Sequence, residues 1–234
     1  MNILVTGASK GLGYETAKVF CRWPGHHVFA LSRDAWGLQR LVKACEASGA
    51  GSTLHILPFD LRNDDYQHSL LPAVLNAFDT VDILINNAGV MVHKAFQEFT
   101  VDDFDRLFDV NVKSVFRLIQ LVLPYMHANS HIVNLGSMGG FQGSVKFGGM
   151  SLYSASKGAI AVMSECLARE FSERGIKVNC LALGAADTEM FRGAFPGIKA
   201  PLSTPEMAQF IADFAINGHR YFNGKVLPVA VSTP

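Results

Sequence analysis

The sequence predicts an α/β fold, a doubly wound parallel sheet with helices on both faces, in a single domain over residues 1–234. Three observations predict it. Short runs rich in Val, Ile and Leu alternate along the chain with longer amphipathic runs. The short runs are apolar on both sides, as strands covered from above and below must be. Right-handed crossovers between such strands wind the helices onto both faces of one sheet.

The elements follow in order. Asn2–Thr6 reads as a strand and Gly11–Trp23 as the helix that crosses over it. His27–Ser32 is a strand, and Asp34–Ser48 a helix with an acidic residue placed to cap it. Thr53–Pro58 is a strand, Asp64–Ala77 a helix and Asp82–Ile85 a short buried strand. Phe104–His127 reads as one long helix, followed by the strand His131–Leu135. Ser151–Arg174 is a helix and Lys177–Ala182 a strand. Pro205–Asn217 is helical, and Lys225–Val229 is the last strand. No linker, repeat or low-complexity segment divides the chain.

The 234 residues are 49% hydrophobic, enough for a large core, and 20 basic residues balance 20 acidic ones. A neutral chain without clustered cations is a poor candidate for nucleic acid. Cys21, Cys45, Cys166 and Cys180 are scattered and expected to be reduced thiols. The histidines show no metal-ligand spacing, and no apolar stretch is long enough to span a membrane. With no secretory segment ahead of the first strand, the expectation is a soluble cytoplasmic protein.

The turn Thr6-Gly7-Ala8-Ser9-Lys10-Gly11-Leu12-Gly13 follows the first strand and opens the first helix. Glycines let backbone approach a diphosphate, and a helix start offers it unpaired N–H groups and a positive dipole end. In that position the turn reads as a dinucleotide site, although its Gly-x-x-x-Gly-x-Gly spacing departs from G-x-G-x-x-G.

Tyr153 and Lys157 stand i, i+4 on one helix and share a face. A phenol, with a reference pKa of about 10, is a poor base at neutral pH. A nearby ammonium would lower that value, so the phenol could pass a proton to or from a reacting oxygen. Elsewhere such a pair is an ordinary solvated one. Here it follows a strand ending Leu135-Gly136-Ser137, at the sheet edge where ligands bind. Ser137 can hydrogen-bond a substrate oxygen, or merely end a strand in a glycine-rich turn. No histidine is placed to make Ser137 a nucleophile. Asn111, inside the long apolar helix, reads by itself as a locally bonded amide.

Taken together, the glycine turn, Asn86-Asn87-Ala88-Gly89, Asn111, Ser137 and Tyr153-x-x-x-Lys157 resemble the short-chain dehydrogenase/reductase family. The match runs from the first strand to about Thr188. The resemblance implies a Rossmann-type sheet of about seven strands with a dinucleotide across their carboxyl ends. Asp60 and Leu61 would then hold the adenine. Asn87, Ala88 and Gly89 would pass the adenosine ribose, and Asn86 would tie neighbouring strands together. Thr188 would meet the nicotinamide carboxamide, and Lys157 the ribose beside it. Asn111 would kink its helix and hold a water connecting Lys157 to solvent. The implied activity is hydride transfer between NADPH and a small-molecule carbonyl or alcohol. The competing reading, a non-catalytic NADPH-binding redox sensor, would have lost Ser137, Tyr153 or Lys157, and all three are present. A narrower version, reduction of 3-oxoacyl thioesters on an acidic carrier, needs a basic surface; Arg192, Lys199, Arg117 and Lys113 are its candidates.

The second strand ends Leu31-Ser32-Arg33, without the acid that would hold both ribose hydroxyls of NAD. Arg33, with Lys10 from the other side, should grip a 2′-phosphate, so NADP is expected over NAD. Asp34 either pairs with Arg33 or caps the following helix. The chain departs from the family pattern in three places. Leu183-Gly184 replaces Pro-Gly, which should loosen the turn carrying Thr188. The loop from Ser137 to Tyr153 is about three residues longer than the resemblance implies and should wall the substrate pocket. The end, Val229 to Pro234, lacks the usual Asp-Gly-Gly. Residues 189–202 should form a substrate lid with an apolar lining. The helices Phe104–His127 and Ser151–Arg174 are apolar nearly all round, which predicts a homodimer or homotetramer covering them.

Overall fold

The protein, here a computed structural model describing residues 1–49, 51–62 and 65–231, is built on seven parallel strands. They are β1 Asn2–Thr6, β2 His27–Ser32, β3 Thr53–Pro58, β4 Ile83–Asn86, β5 His131–Leu135, β6 Lys177–Leu183 and β7 Val226–Val229. Their order in the sheet is β3-β2-β1-β4-β5-β6-β7. Successive crossovers run outward from β1 in one direction, then from β4 in the other. The reversal leaves a crevice above the β1–β4 junction, where the loops part.

Among the described residues the α-helices are α1 Gly11–Arg22, α2 Ala35–Ala47, α3 Leu71–Ala77, α4 Val101–Phe108, α5 Ser114–Val122, α6 Ser151–Glu170, α7 Glu189–Ala194 and α8 Thr204–Asn217. The period of two along β1 sorts its side chains. Ile3 and Val5 join a core that includes Phe20, Leu38 and Ile211, beneath α1, α2 and α8. Leu4 joins the opposite core with Leu70, Leu118 and Ile160, beneath α3, α5 and α6. The central strands β1, β2, β4, β5 and β6 are buried on both faces, as their composition requires, while the edge strands β3 and β7 are only partly covered.

Most predicted boundaries hold to within a residue or two, and four differ. The helix expected over Ser151–Arg174 ends at Glu170, and a separate 3-10 turn follows at Ser172–Arg174. The single helix expected over Phe104–His127 is two, α4 and α5, joined by a π-helical turn at Asp109–Lys113. It begins three residues earlier than expected, because Thr100 caps it by accepting from Asp103 N at 3.1 Å. The helix expected from Asp64 starts outside the described residues; from Tyr66 to Leu70 it is π-helical and continues as α3. The lid contains a helix, α7, that apolar periodicity over so short a segment did not reveal. No described helix is long and apolar enough to cross a membrane.

Candidate active site

A cleft of about 970 Å³ opens at the carboxyl ends of the strands. It takes residues from the turns after β1 to β6, so segments far apart in sequence converge because every strand points the same way.

The turn after β1 forms one wall. Its glycines do different jobs. A Cβ on Gly7 would lie 2.8 Å from Asn87 Nδ2 and 2.9 Å from Ala88 Cα, and one on Gly13 would fall on Asn87 Nδ2. These two let the turn pack against the end of β4. Gly11, at φ 60°, is different: a Cβ there would meet only Thr188 Cγ2, at 3.9 Å. Gly7, Ser9, Lys10, Gly11 and Leu12 line the cleft, and Gly13 packs behind them against Asn87. Asn87 Nδ2 donates to Thr6 O (2.8 Å) and Gly7 O (3.2 Å), while Thr6 Oγ1 accepts from Asn87 N (3.0 Å) and Ala88 N (2.9 Å). Thr6 thus clamps the turn to β4; its neighbouring glycine was the only sequence signal for it.

The start of α1 has no side-chain cap, whereas Asp34, Thr100, Thr188 and Ser203 cap α2, α4, α7 and α8. Its first amides and dipole end are therefore available to an anion. An open Gly11 beside an uncapped helix start fits a dinucleotide diphosphate.

The end of β2 is polar and neutral. Ser32 Oγ donates to Ser9 Oγ at 2.8 Å. Arg33 NH1 stands 4.0 Å from Asp60 Oδ2, at the rim beside Leu61. Asp34 accepts from Gly37 N at 3.0 Å, the cap rather than the Arg33 pair. Lys10 Nζ lies 2.5 Å from Glu189 Oε2 on α7, with both side chains more than half exposed.

Tyr153 and Lys157 line the cleft from α6, both almost fully buried, and Ser137 follows β5 beside them. Lys157 Nζ lies 5.9 Å from the Tyr153 ring centre and donates to Leu135 O at 2.8 Å. The Ser137 hydroxyl faces the Tyr153 phenol and accepts from Gly139 N at 3.1 Å. Burial pushes the phenol's pKa up, and the Ser137 hydrogen bond offsets this only in part. The expected lowering by Lys157 is not among the causes: burial sets the direction, and Ser137 is the group that opposes it. Burial likewise pulls Lys157 down, to about 8. Gly89 lines the cleft here; a Cβ on it would sit 3.5 Å from Lys157 Nζ and 3.4 Å from Asn111 Oδ1.

Asn111 sits in the π-helical turn, 1% exposed, behind the cleft rather than in it. Its Nδ2 donates to Val90 O (3.0 Å) and Ser156 Oγ (2.9 Å), and its Oδ1 accepts from Val90 N (2.8 Å). The wider turn brings this amide onto the strand end that carries Asn87 to Gly89. Ser156, between Tyr153 and Lys157 in sequence, is the partner that spacing did not single out. Asn86 Nδ2 donates to Asn134 Oδ1 (2.8 Å) and Asn134 Nδ2 to Ser164 Oγ (2.9 Å), a buried tie between β4, β5 and α6.

Thr188 lines the cleft and caps α7, accepting from Phe191 N at 3.1 Å. The turn after Leu183-Gly184 is hydrogen-bonded at three points. Asp187 N donates to Leu202 O (2.9 Å), Thr188 N to Ala186 O (2.7 Å) and Thr204 Oγ1 to Asp187 O (2.6 Å). The long loop contributes Met138, Gly139, Phe147 and Met150 to the cleft, walling it as expected. The four cations proposed for an acidic carrier are dispersed. Arg192 pairs with Asp187 (2.7 Å), Lys113 with Asp109 (3.2 Å), Arg117 lies 4.3 Å over the Tyr66 ring, and Lys199 stands exposed at the lid.

Known proteins share this architecture. The family model described as short chain dehydrogenase matches residues 1–198. A 3-oxoacyl-[acyl-carrier-protein] reductase of Chlamydia muridarum is 30% identical, over 97% of this chain and 94% of its own. A short-chain dehydrogenase/reductase from Serratia marcescens superposes with a TM-score of 0.86 at 28% identity, covering 97% of this chain and 95% of that one. A short chain dehydrogenase from Burkholderia cenocepacia, solved in complex with NADP, gives 0.85 at 29% identity, with the same two coverages.

Proposed function

The chain belongs to the short-chain dehydrogenase family of NAD(P)-dependent oxidoreductases, and from that premise we propose that it reduces a carbonyl with NADPH, with Tyr153 as the proton donor. The observation that carries the reading is the meeting of Ser137, Tyr153 and Lys157 at one edge of a cleft whose far wall is an open glycine turn. A redox sensor would have no use for that edge.

When bound, the dinucleotide supplies a hydride to the carbonyl carbon. The carbonyl π pair then goes to oxygen, which takes a proton from Tyr153 Oη, and the ketone becomes an alcohol. Ser137 Oγ holds that oxygen beside the phenol. The buried phenol retains its proton at neutral pH, the form a reduction needs. Lys157 donates to the nicotinamide-side ribose and places positive charge where phenolate develops. Asn111 braces the Val90 backbone and, through Ser156, the first turns of α6, and serves the relay that reprotonates Tyr153. Gly7, Ser9, Gly11 and Leu12 hold the diphosphate. Asp60, Leu61, Asn87, Ala88 and Gly89 hold the adenosine half, and Thr188 the carboxamide. Arg33 selects the 2′-phosphate, because no acid ends β2.

Tyr153→Phe tests the assignment. The ring still packs, so the variant should bind NADPH as the wild type does and lose nearly all turnover. Near wild-type rates on any good substrate would remove Tyr153 from the mechanism.

A further inference from the structure

Resting on that reductase reading, we propose that the substrate is an uncharged carbonyl compound bearing an aryl or fused alicyclic ring, held in an aromatic slot formed by Phe147, Phe191 and Phe195. The three rings come from two separate segments: Phe147 from the long loop after β5, and Phe191 and Phe195 from the lid, on α7 and just past its end. Phe195 lies 5.3 Å from Phe191 and 5.8 Å from Phe147 between ring centres, the latter pair at 66°. All three line the cleft that holds Ser137 and Tyr153. Phe195 also packs against the small core cluster of Leu107, Met150 and Tyr153. An apolar surface thus runs unbroken from the lid to the reacting phenol.

Polar groups on this side are few. Ser137 and Tyr153 can satisfy one substrate oxygen. Met138 and Met150 add polarisable sulfur, which packs well against ring edges. A sugar would bring several hydroxyls and leave them unpaired among these side chains, which binding penalises. An anionic or carrier-borne substrate would need a cationic lip. On the lid side Lys10 is paired with Glu189 and Arg192 with Asp187, so two of the cations there are already matched by carboxylates, and Lys199 stands beside them. A flat ring gains instead, by edge and face contacts with Phe147 and Phe195 and by displacing water from apolar surface.

The test uses the full chain with NADPH and four carbonyl probes: 2-tetralone, acetophenone, hydroxyacetone and an acetoacetyl thioester of pantetheine. The two ring ketones should show kcat/KM at least about tenfold above the other two, a margin that roughly 1.4 kcal/mol provides. Phe195→Ala should erase most of that ratio while NADPH binding, followed by calorimetry, is kept, and Phe195→Tyr should preserve it. If NADPH binds and hydroxyacetone or the thioester is the better substrate, the slot assignment is overturned and the reductase reading stands. An unmoved ratio in Phe195→Ala overturns it equally. If 2-tetralone binds the NADP-loaded protein by calorimetry but no probe is turned over, the slot stands and the reductase reading falls. Absence of both dinucleotide and ketone binding overturns both.

Discussion

Replacing Lys157 with methionine should make the protein more stable at neutral pH and leave it inert. Lys157 is almost fully buried, and burial pulls its pKa from an ordinary 10.5 to about 8. The folded value lies below the unfolded one, so folding favours the neutral amine. Below about pH 8 both states carry the proton and the fold bears the whole penalty; the penalty fades as pH rises through about 8 towards 10.5. That separation corresponds to roughly 3 kcal/mol, at about 1.4 kcal/mol per pH unit. Methionine fills much of the volume of the lysine stem without the charge. It also leaves Leu135 O without the 2.8 Å donor, an offset of about 1 kcal/mol. The expected net gain at neutral pH is about 2 kcal/mol. Urea unfolding of both proteins, repeated from neutral to alkaline pH, measures it. The gap should close as the wild type sheds its buried proton. A variant less stable than wild type at neutral pH, or a gap indifferent to pH, would refute the reasoning. Turnover should be lost throughout, since the ammonium supports the phenolate.

Further outcomes follow from other contacts. Arg33→Ala should weaken NADPH binding about tenfold, a reduced figure for a side chain more than half exposed, and leave NADH nearly unchanged; titration of both cofactors checks it, and equal weakening of both removes Arg33 from the 2′-phosphate. Lys10→Ala should have a smaller effect on that preference than Arg33→Ala, because Lys10 is engaged by Glu189. Glu189→Gln breaks this tie between the glycine turn and the lid, and should speed dinucleotide release in stopped-flow without altering the fold. Phe104, Phe116 and Val162 expose apolar surface on α4, α5 and α6, so light scattering should find a homodimer or homotetramer at micromolar concentration, and a monodisperse monomer would refute it.

Much of this was legible in the sequence because it depends on local order. Strands apolar on both faces, each followed by an amphipathic run, sufficed for the parallel sheet. A glycine cluster directly after β1 marked one wall of the cleft. Tyr153 and Lys157, four residues apart, share a helix face by the geometry of the helix alone. Ser137 was readable as the second residue beyond β5, since ligands gather at that edge.

Tertiary structure decided what distance along the chain conceals. Asn111 meets Val90 and Ser156, 21 and 45 residues away, because a π-helical turn adds width just where the amide must reach. Lys10 meets Glu189, 179 residues on, a contact between the glycine turn and the lid that spacing could not show. Thr6 became the clamp on β4, and Gly13 a packing contact, through the side-by-side pairing of β1 and β4. The sign of the Tyr153 shift was likewise unreadable from spacing, since i, i+4 reports the proximity of an ammonium but not the depth of burial. Sequence order determines which residues are neighbours on one element. Which elements approach, and how much water they exclude, is set only when the sheet closes and both cores pack.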